Sequence, residues 1–589
     1  MTASNEANAF NPYFVKYLNK KAPSFPPFKP WERFGWHLFA GMTVFFGAVY
    51  LQWRWTHSLN HEHLAFSILV AGAETATFVG TCLFFFDIWD EEDTSISVSA
   101  ATRTKTTDTF PTKEIDVFIT TFDEPESILG YTISAAKRLA IPTGMKTNVF
   151  ILDDGNRIQI RKLAEATGIG YFGRSDNRGF KAGNIANALY QTRGDLVVVC
   201  DADTMLFPEF LVNTTGYFAD PEVAWVQTPH WFFEIPPSQG LTRQLYNIGL
   251  RAPRFVTRHL TRLGLDKKIG GDPFLSDPSL FFDVIQRRRN RHGASFCCGA
   301  ASIHRRTALF DNCLKQLAST TTNHSPLSAL EQQPFKHHVS EDIFTSIELH
   351  KNGWRSIFHP SVEAKMLSPW SVEAWAAQRL KYAGGTYDIM FRTNLFAKSD
   401  MKLTHRLHYF ATFYAYAGVI WHSILLVAPT FSLTTGISPI EANIFTFFTY
   451  FLPPLICNEL ALLFGTKGHD TFGGRALTIG TIPLQIYAFL KAIRGQTPKF
   501  KPTPKLPGTQ VNTRYAIPNI VLATVLLLCA GWGIYATLSG TGTLSLSALI
   551  INLFWISCNL LFLLRIAFAC LCVPTAMENE PTKGITKCS

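Results

Sequence analysis

A chain of 589 residues with 47% hydrophobic residues, 17% charged residues and 49 phenylalanines is too apolar for a purely soluble protein and points to a membrane. Its formal net charge of +10 is not gathered into one basic block but flanks apolar runs, which argues against nucleic acid and for membrane orientation. Eleven cysteines without an even framework, several inside apolar runs, argue against a disulfide scaffold and a zinc site.

Residues 1–35 are polar, proline-rich and basic, and carry no pattern of a cleavable signal sequence. Two membrane spans are expected within 36–88, at Trp36–Trp53 and Leu64–Phe86, each about the roughly 20 residues that cross a bilayer. Glu74 inside the second span is costly in lipid and is expected to make a structural polar contact.

Residues 112–398 then change character. The runs IDVFIT, TNVFILDD and DLVVVCDAD read as short strands, two of them ending in acids, and ESILGYTISAAKRLA and KAGNIANALYQ read as helices between them. Such alternation predicts a mostly parallel α/β sheet whose ligands bind beyond the carboxyl ends of the strands. Further on come a basic run, QRRRNRHG, best read as a solvated loop, then FCCG, then SEDIF at a helix start. Ala374–Gly385, AWAAQRLKYAGG, predicts a short amphipathic helix at the membrane surface with Gln378, Lys381 and Tyr382 on one side.

Two more spans are expected within 405–465, at Leu407–Phe431 and Ile444–Phe464, and two within 515–573, at Tyr515–Leu538 and Leu546–Val573. Between the pairs, residues 466–514 hold an apolar stretch with a basic end, TIGTIPLQIYAFLKAIRG, expected to lie in the interface. Lys and Arg are concentrated in that link and in the N-terminal segment. With six spans, both termini and the α/β domain are therefore expected in the cytoplasm.

The acids suggest chemistry. Asp201 and Asp203 are alternate residues at a strand end, and their carboxylates are the hard ligands that Mg²⁺ or Mn²⁺ takes while a diphosphate completes its shell. A neighbouring strand-end acid, Asp153, can accept hydrogen bonds from a base or ribose, and Lys181 can meet phosphate charge. Transfer of a sugar to an incoming hydroxyl needs a general base, which Asp342 or Glu341 could supply.

The order TTFDEP, ILDDG, KAGN, DAD, QTPH, FCCG, SED and QRLKY resembles the processive family 2 glycosyltransferases, and most closely the bacterial cellulose synthases. The resemblance runs from about Asp116 to Tyr382, and it implies a GT-A glycosyltransferase domain inserted in a transmembrane helical bundle. It further implies UDP-glucose as donor, a growing β-glucan as acceptor and product, Mg²⁺ or Mn²⁺ as cofactor, a periplasmic or membrane partner subunit, and a place in the bacterial inner membrane.

Residue by residue, the resemblance gives the uridine to Asp153, the nucleotide and metal to Asp201, the metal to Asp203, and the role of general base to Asp342 of Ser340-Glu341-Asp342. It puts Cys298 of FCCG and His230 of QTPH on the acceptor side. The family's QxxRW motif reads Gln378-Arg379-Leu380-Lys381-Tyr382 here. Lys381 keeps a cation for the diphosphate but loses arginine's bidentate fork, and Tyr382 keeps an apolar face for a sugar with less area than tryptophan. FKPTPK, Phe500–Lys505, resembles the family's gating loop, with Phe500, Thr503 and Lys505 directed to the donor. Residues 574–589 are too short for the cyclic di-GMP sensor domain often found in the family. Two alternatives stand beside a cellulose synthase. One is a synthase of another β-linked polymer: a β-1,3-glucan, a mixed-linkage glucan or an amino-sugar chain. The other is a transporter or scaffold with a degenerate transferase domain.

Overall fold

The computed structural model describes residues 14–94, 114–235, 275–323, 333–369, 371–496 and 513–573, together with Asp272 and the short strands at 239–240, 268–269 and 587–588. Helices α1 (Pro30–Thr56) and α2 (Leu64–Asp87) are antiparallel and long enough to span a membrane. Between them Glu74 accepts from Arg54 at 2.9 Å and from the Tyr50 hydroxyl at 3.2 Å, the structural contact expected of it. Close helix approach uses glycine: a Cβ on Gly47 would lie 2.2 Å from the Phe78 ring.

The α/β domain follows. Strand β1 (Glu114–Thr121) is buried along all but its first residue, as an apolar run in a sheet covered on both faces must be. It lies parallel to β2 (Lys146–Asp153) on one side and to β4 (Leu196–Asp201) on the other, and β3 (Gly170–Gly173) extends beyond β2. With β5 (Val223–Gln227), β6 (Ser302–Arg305) and β7 (Arg355–Phe358) the order is β7-β5-β6-β4-β1-β2-β3. Of these seven, β6 alone runs antiparallel to its neighbours. Alternate side chains fill two cores: Val117, Ile119, Val198 and Cys200 on one face, Phe118, Leu152, Val197 and Val199 on the other.

Three helices of the domain carry candidate residues: α3 (Phe180–Leu189), α4 (Glu341–Lys351) and α5 (Val372–Arg392). Then α6 (Leu403–Ala417) and α7 (Val419–Thr435) form one 33-residue span, followed by α8 (Ile444–Gly465). The expected single interfacial helix is instead two, α9 (Thr471–Gly480) and α10 (Ile482–Ile493), bent by 56° at their junction. Pro483 sits in the first turn of α10, where its missing N–H costs nothing, so a new helix begins there. Helix α10 lies along α5, where Ala383 and Tyr387 share a core with Ile482, Ala488 and Ala492. Helices α11 (Ile517–Leu538) and α12 (Leu546–Leu571) complete six candidate spans among the described residues. The chain is thus a multi-pass membrane protein whose α/β domain is inserted between the second and third spans.

The basic run corrects its sequence reading. Arg287, Arg288 and Arg289 are no more than 2% exposed. Arg287 pairs with Asp93 at 2.5 Å, Asp283 at 2.9 Å and Glu91 at 3.3 Å; Arg288 donates to the Ile88 carbonyl at 2.7 Å; Arg289 pairs with Asp87. The run is a joint that locks the α/β domain to the end of α2. Removing one member of a buried pair strands the other, at about 3–5 kcal/mol. Arg289→Ala is therefore expected to lower the midpoint of a thermal ramp in detergent sharply, whereas Arg291→Ala, which gives up donors to the Asp90 and Phe86 carbonyls, costs less. Equal midpoints for Arg289→Ala and the parent protein would remove the joint.

Candidate active site

Register sets the geometry of the strand-end acids. Thr121 of β1 pairs with Asp153 of β2, and Thr120 pairs with Asp201 of β4. The two acids therefore flank one strand at nearly one level, about 9–10 Å apart at the backbone given the spacing of neighbouring strands. They differ in surroundings. Asp153 is fully buried and turned inward: it accepts from the Gly155 and Arg157 amides, the Arg157 side chain and the Tyr171 hydroxyl, at 2.7–3.1 Å. Its neighbour Asp154 pairs with Arg174 at 2.6 Å, and burial nevertheless lifts its carboxyl to about 6. The side chain of Asp201 is 44% exposed and receives Lys181 Nζ at 2.5 Å.

Lys181 is aimed by the way α3 begins. Gly179 is left-handed, with φ at +69°, and Asn184, one turn into the helix, donates to the Leu152 carbonyl at 2.8 Å. The helix start is thereby tied to the end of β2, and Lys181 projects across to β4. Burial opposes its charge, but Asp201, Glu341 and Asp342 outweigh that and hold its pKa above the ordinary lysine value.

Asp203 is 2% exposed, and its Oδ2 accepts from the Leu367 amide at 3.0 Å. The strand pair Met205–Leu206 with Ala364–Lys365 brings that segment alongside. One carboxylate open and one anchored is a hard-oxygen pair of the kind that holds a divalent ion when phosphates supply the rest of its shell. No group of three or more His, Cys, Asp or Glu side chains suited to a metal occurs among the described residues. Two carboxylates, Asp201 and Asp203, are the number that suits an ion whose remaining ligands come from a phosphate.

The FCCG loop borders the site. Gly299, at φ +90°, has Lys181 Nζ 3.4 Å and Asp342 Oδ2 3.7 Å from where a Cβ would stand, so the ammonium and the carboxylate converge on a single backbone position. Gln227 holds this loop: it accepts from the Cys298 amide at 2.8 Å and donates to the Ala300 carbonyl at 3.0 Å. Cys298 Sγ receives Gln286 Nε2 at 3.1 Å, and burial pushes its thiol well above the usual range. The His230 ring contacts the Ala300 carbonyl at 2.9 Å and lies 4.7 Å from the Phe282 ring; burial lowers its pKa.

Asp342 lies in the first turn of α4 and accepts from the Ile343 amide at 2.8 Å. Ser346, one turn on, donates to the Asp342 carbonyl and accepts from the Cys297 amide at 2.9 Å, which fixes the base candidate to the FCCG loop. Helix α5 passes beside this turn. Gln378 and Lys381 are partly buried on it and Tyr382 is 43% exposed. Glu341 is buried, which raises its pKa, as does Asp342; Lys381 and Lys181 act against that rise. The structure therefore brings together Lys181, Asp201, His230, Cys298, Glu341, Asp342 and Lys381. Phe500, Thr503 and Lys505 lie outside the described residues.

Sequence reading missed Gln227, Gln286 and Ser346, which hold the loop, and His338, Asp388 and Gly385, which join α4 to α5. The legible signals were the QTPH motif, which Gln227 opens, and the paired glycines of KYAGG, since glycine inside a helix marks a close approach.

Residues 111–385 match the family described as Glycosyltransferase like family 2. The chain is 26% identical over 530 residues to cellulose synthase 2 of Novacetimonas hansenii, covering 87% of this chain and 30% of that one. It is 26% identical over 527 residues to the UDP-forming cellulose synthase 1 catalytic subunit of Komagataeibacter xylinus, covering 88% and 64%. It is 29% identical over 374 residues to the UDP-forming cellulose synthase catalytic subunit of Xanthomonas axonopodis pv. citri, covering 63% and 44%. The chain thus spans between 30% and 64% of the length of these relatives. Among solved structures it is similar to a mannosyltransferase from Pyrobaculum calidifontis in complex with GDP-Man and Mn²⁺, with 15% identity, a TM-score of 0.43, and coverage of 73% of this chain and 99% of that one.

Proposed function

We propose that this chain, whose residues 111–385 are a family 2 glycosyltransferase domain, polymerises glucose from UDP-glucose into a β-glucan, cellulose foremost, and passes the product across the bacterial inner membrane. The observation that carries this reading is the convergence of Lys181 and Asp342 on Gly299, next to Asp201 at the strand ends and against membrane-spanning helices.

In this reading the donor lies along the carboxyl edge of β2, β1 and β4. Asp153 shapes the turn that receives the uridine, Asp201 and Asp203 hold Mg²⁺ or Mn²⁺, and Lys181 and Lys381 with Gln378 face the diphosphate. A divalent ion, when bound, neutralises leaving-group charge. Asp342 accepts the proton of the acceptor hydroxyl as that oxygen attacks the anomeric carbon and the bond to UDP breaks. Cys298, His230 and Tyr382 line the acceptor path, and Phe500, Thr503 and Lys505 serve as the gate over the donor. The α/β domain faces the cytoplasm, where UDP-glucose is made, and a periplasmic or membrane subunit receives the polymer.

The decisive experiment supplies purified protein with labelled UDP-glucose, measures UDP release, and examines the polymer by linkage analysis and glucanase digestion. No UDP release would sink the enzyme reading. The Lys381–Tyr382 pair, in place of the family's Arg and Trp, favours a second product class, and a β-1,3 or mixed linkage would establish it.

The same pair gives a sharp test. A diphosphate needs a cation more than a fork, so Lys381→Ala is expected to lose far more turnover than Lys381→Arg. A charge-assisted contact is worth about 1.5–3 kcal/mol, or roughly ten- to a hundredfold. Tyr382→Ala should impair elongation while Tyr382→Trp keeps it. Near-normal turnover of Lys381→Ala would take this lysine out of the donor site.

A further inference from the structure

Helix α5 meets the base-bearing turn along one stripe. Lys381, Gly385, Asp388 and Arg392 stand at spacings of four, three and four, so they share a face. Opposite them the chain runs the other way: Glu341 lies within electrostatic reach of Lys381, Ser340 meets Gly385, and His338 meets Asp388. The fit at the middle is tight. A Cβ on Gly385 would stand 2.1 Å from Ser340 Oγ and 3.6 Å from His338 Cε1.

His338 carries the polar part of this contact. The Ser340 amide donates to its Nδ1 at 3.0 Å, so that nitrogen bears a lone pair and the ring proton sits on Nε2. Nε2 then donates to Asp388 Oδ2 at 2.9 Å, while Asp388 Oδ1 accepts from Arg392 Nε at 3.0 Å. His338 and Asp388 are 7% and 5% exposed at the side chain. A neutral, orientated imidazole thus bridges the amide two residues before Asp342 and a carboxylate two turns along the helix from Lys381.

We propose that His338 and Asp388 are positioning residues that fix the distance between the general base, Asp342, and the helix whose Lys381 faces the donor diphosphate. This rests on the glycosyltransferase reading above. Neither residue touches substrate. Their effect is on whether base and donor are correctly placed at the same moment, which enters turnover far more than donor affinity.

The test uses the full-length protein turning over UDP-glucose. His338→Ala is expected to lower kcat about tenfold or more while KM for UDP-glucose and UDP affinity move by less than about threefold. His338→Asn, which restores an acceptor near the Nδ1 position, should recover part of that loss. The double variant His338→Ala with Asp388→Ala should be no slower than His338→Ala alone, because the two act as one unit. Gly385→Ala should show the same kcat-only signature. Wild-type kcat in His338→Ala overturns the proposal. So does a fall in UDP affinity or thermal stability as large as the fall in kcat, with His338→Asn no better than His338→Ala, since that is a merely structural role. Asp342→Asn separates the two levels. Full activity there overturns the glycosyltransferase assignment of the base and this proposal with it; an inactive Asp342→Asn beside a normal His338→Ala overturns the positioning alone.

Discussion

Asp342→Asn is expected to abolish polymer formation and leave UDP binding intact. The asparagine keeps an oxygen for the Ile343 amide, and the backbone link through Ser346 to the FCCG loop is untouched, so α4 and its neighbours should hold their places. What is lost is the group proposed to take the proton of the attacking hydroxyl. A positioned general base contributes roughly 10²–10⁴ in rate, equivalent to about 3–5 kcal/mol of barrier. In the proposed reading donor affinity comes from Asp201, Lys181 and their neighbours, and it should change little, because the base acts in the transition state. Removing one carboxylate also relieves Glu341, whose pKa Asp342 helps to raise, so any weak residual rate that Glu341 carries in Asp342→Asn should disappear in the Glu341→Gln, Asp342→Asn double variant. The measurements are polymer yield from labelled UDP-glucose and a UDP titration on the same preparation. Polymer at the wild-type level would take Asp342 out of the role.

The second large effect concerns the metal. Activity should vanish in EDTA and return with Mg²⁺ or Mn²⁺, since hard carboxylate and phosphate oxygens suit either ion. Asp203→Asn is the informative substitution. Asp203 is buried and holds the Leu367 amide at 3.0 Å, so alanine would leave that amide unpaired and confuse a folding loss with a metal loss. Asparagine keeps the acceptor and removes the charge. The variant should therefore elute and melt like the parent, make no polymer, and gain nothing from added metal. Full activity in chelator, or wild-type turnover and metal dependence in Asp203→Asn, would remove the metal role from this residue.

Much of this protein was written in local patterns. Membrane spans announce themselves because a helix in lipid must be apolar over its whole length, and the six apolar stretches became six span-length helices. Strand-end acids were legible for the same reason: short β-rich runs such as TNVFILDD and DLVVVCDAD stop where Asp153 and Asp201 stand. Tertiary structure decided what distance along the chain conceals. Arg287, Arg288 and Arg289 read as a solvated loop, because a cation's burial depends on its partners, and apart from Asp283 theirs lie mainly at Asp87, Ile88, Glu91 and Asp93, some two hundred residues earlier. Asp153 and Asp201 look alike in sequence, yet one is enclosed by Arg157 and Tyr171 and the other opens toward Lys181. The stripe of α5 against the Ser340 turn exists only because Gly385 lacks a Cβ at that contact. Periodicity fixes which residues share a face; only the folded chain fixes what that face meets, because the cost of burying a charge or a Cβ is set by atoms that sequence spacing does not place.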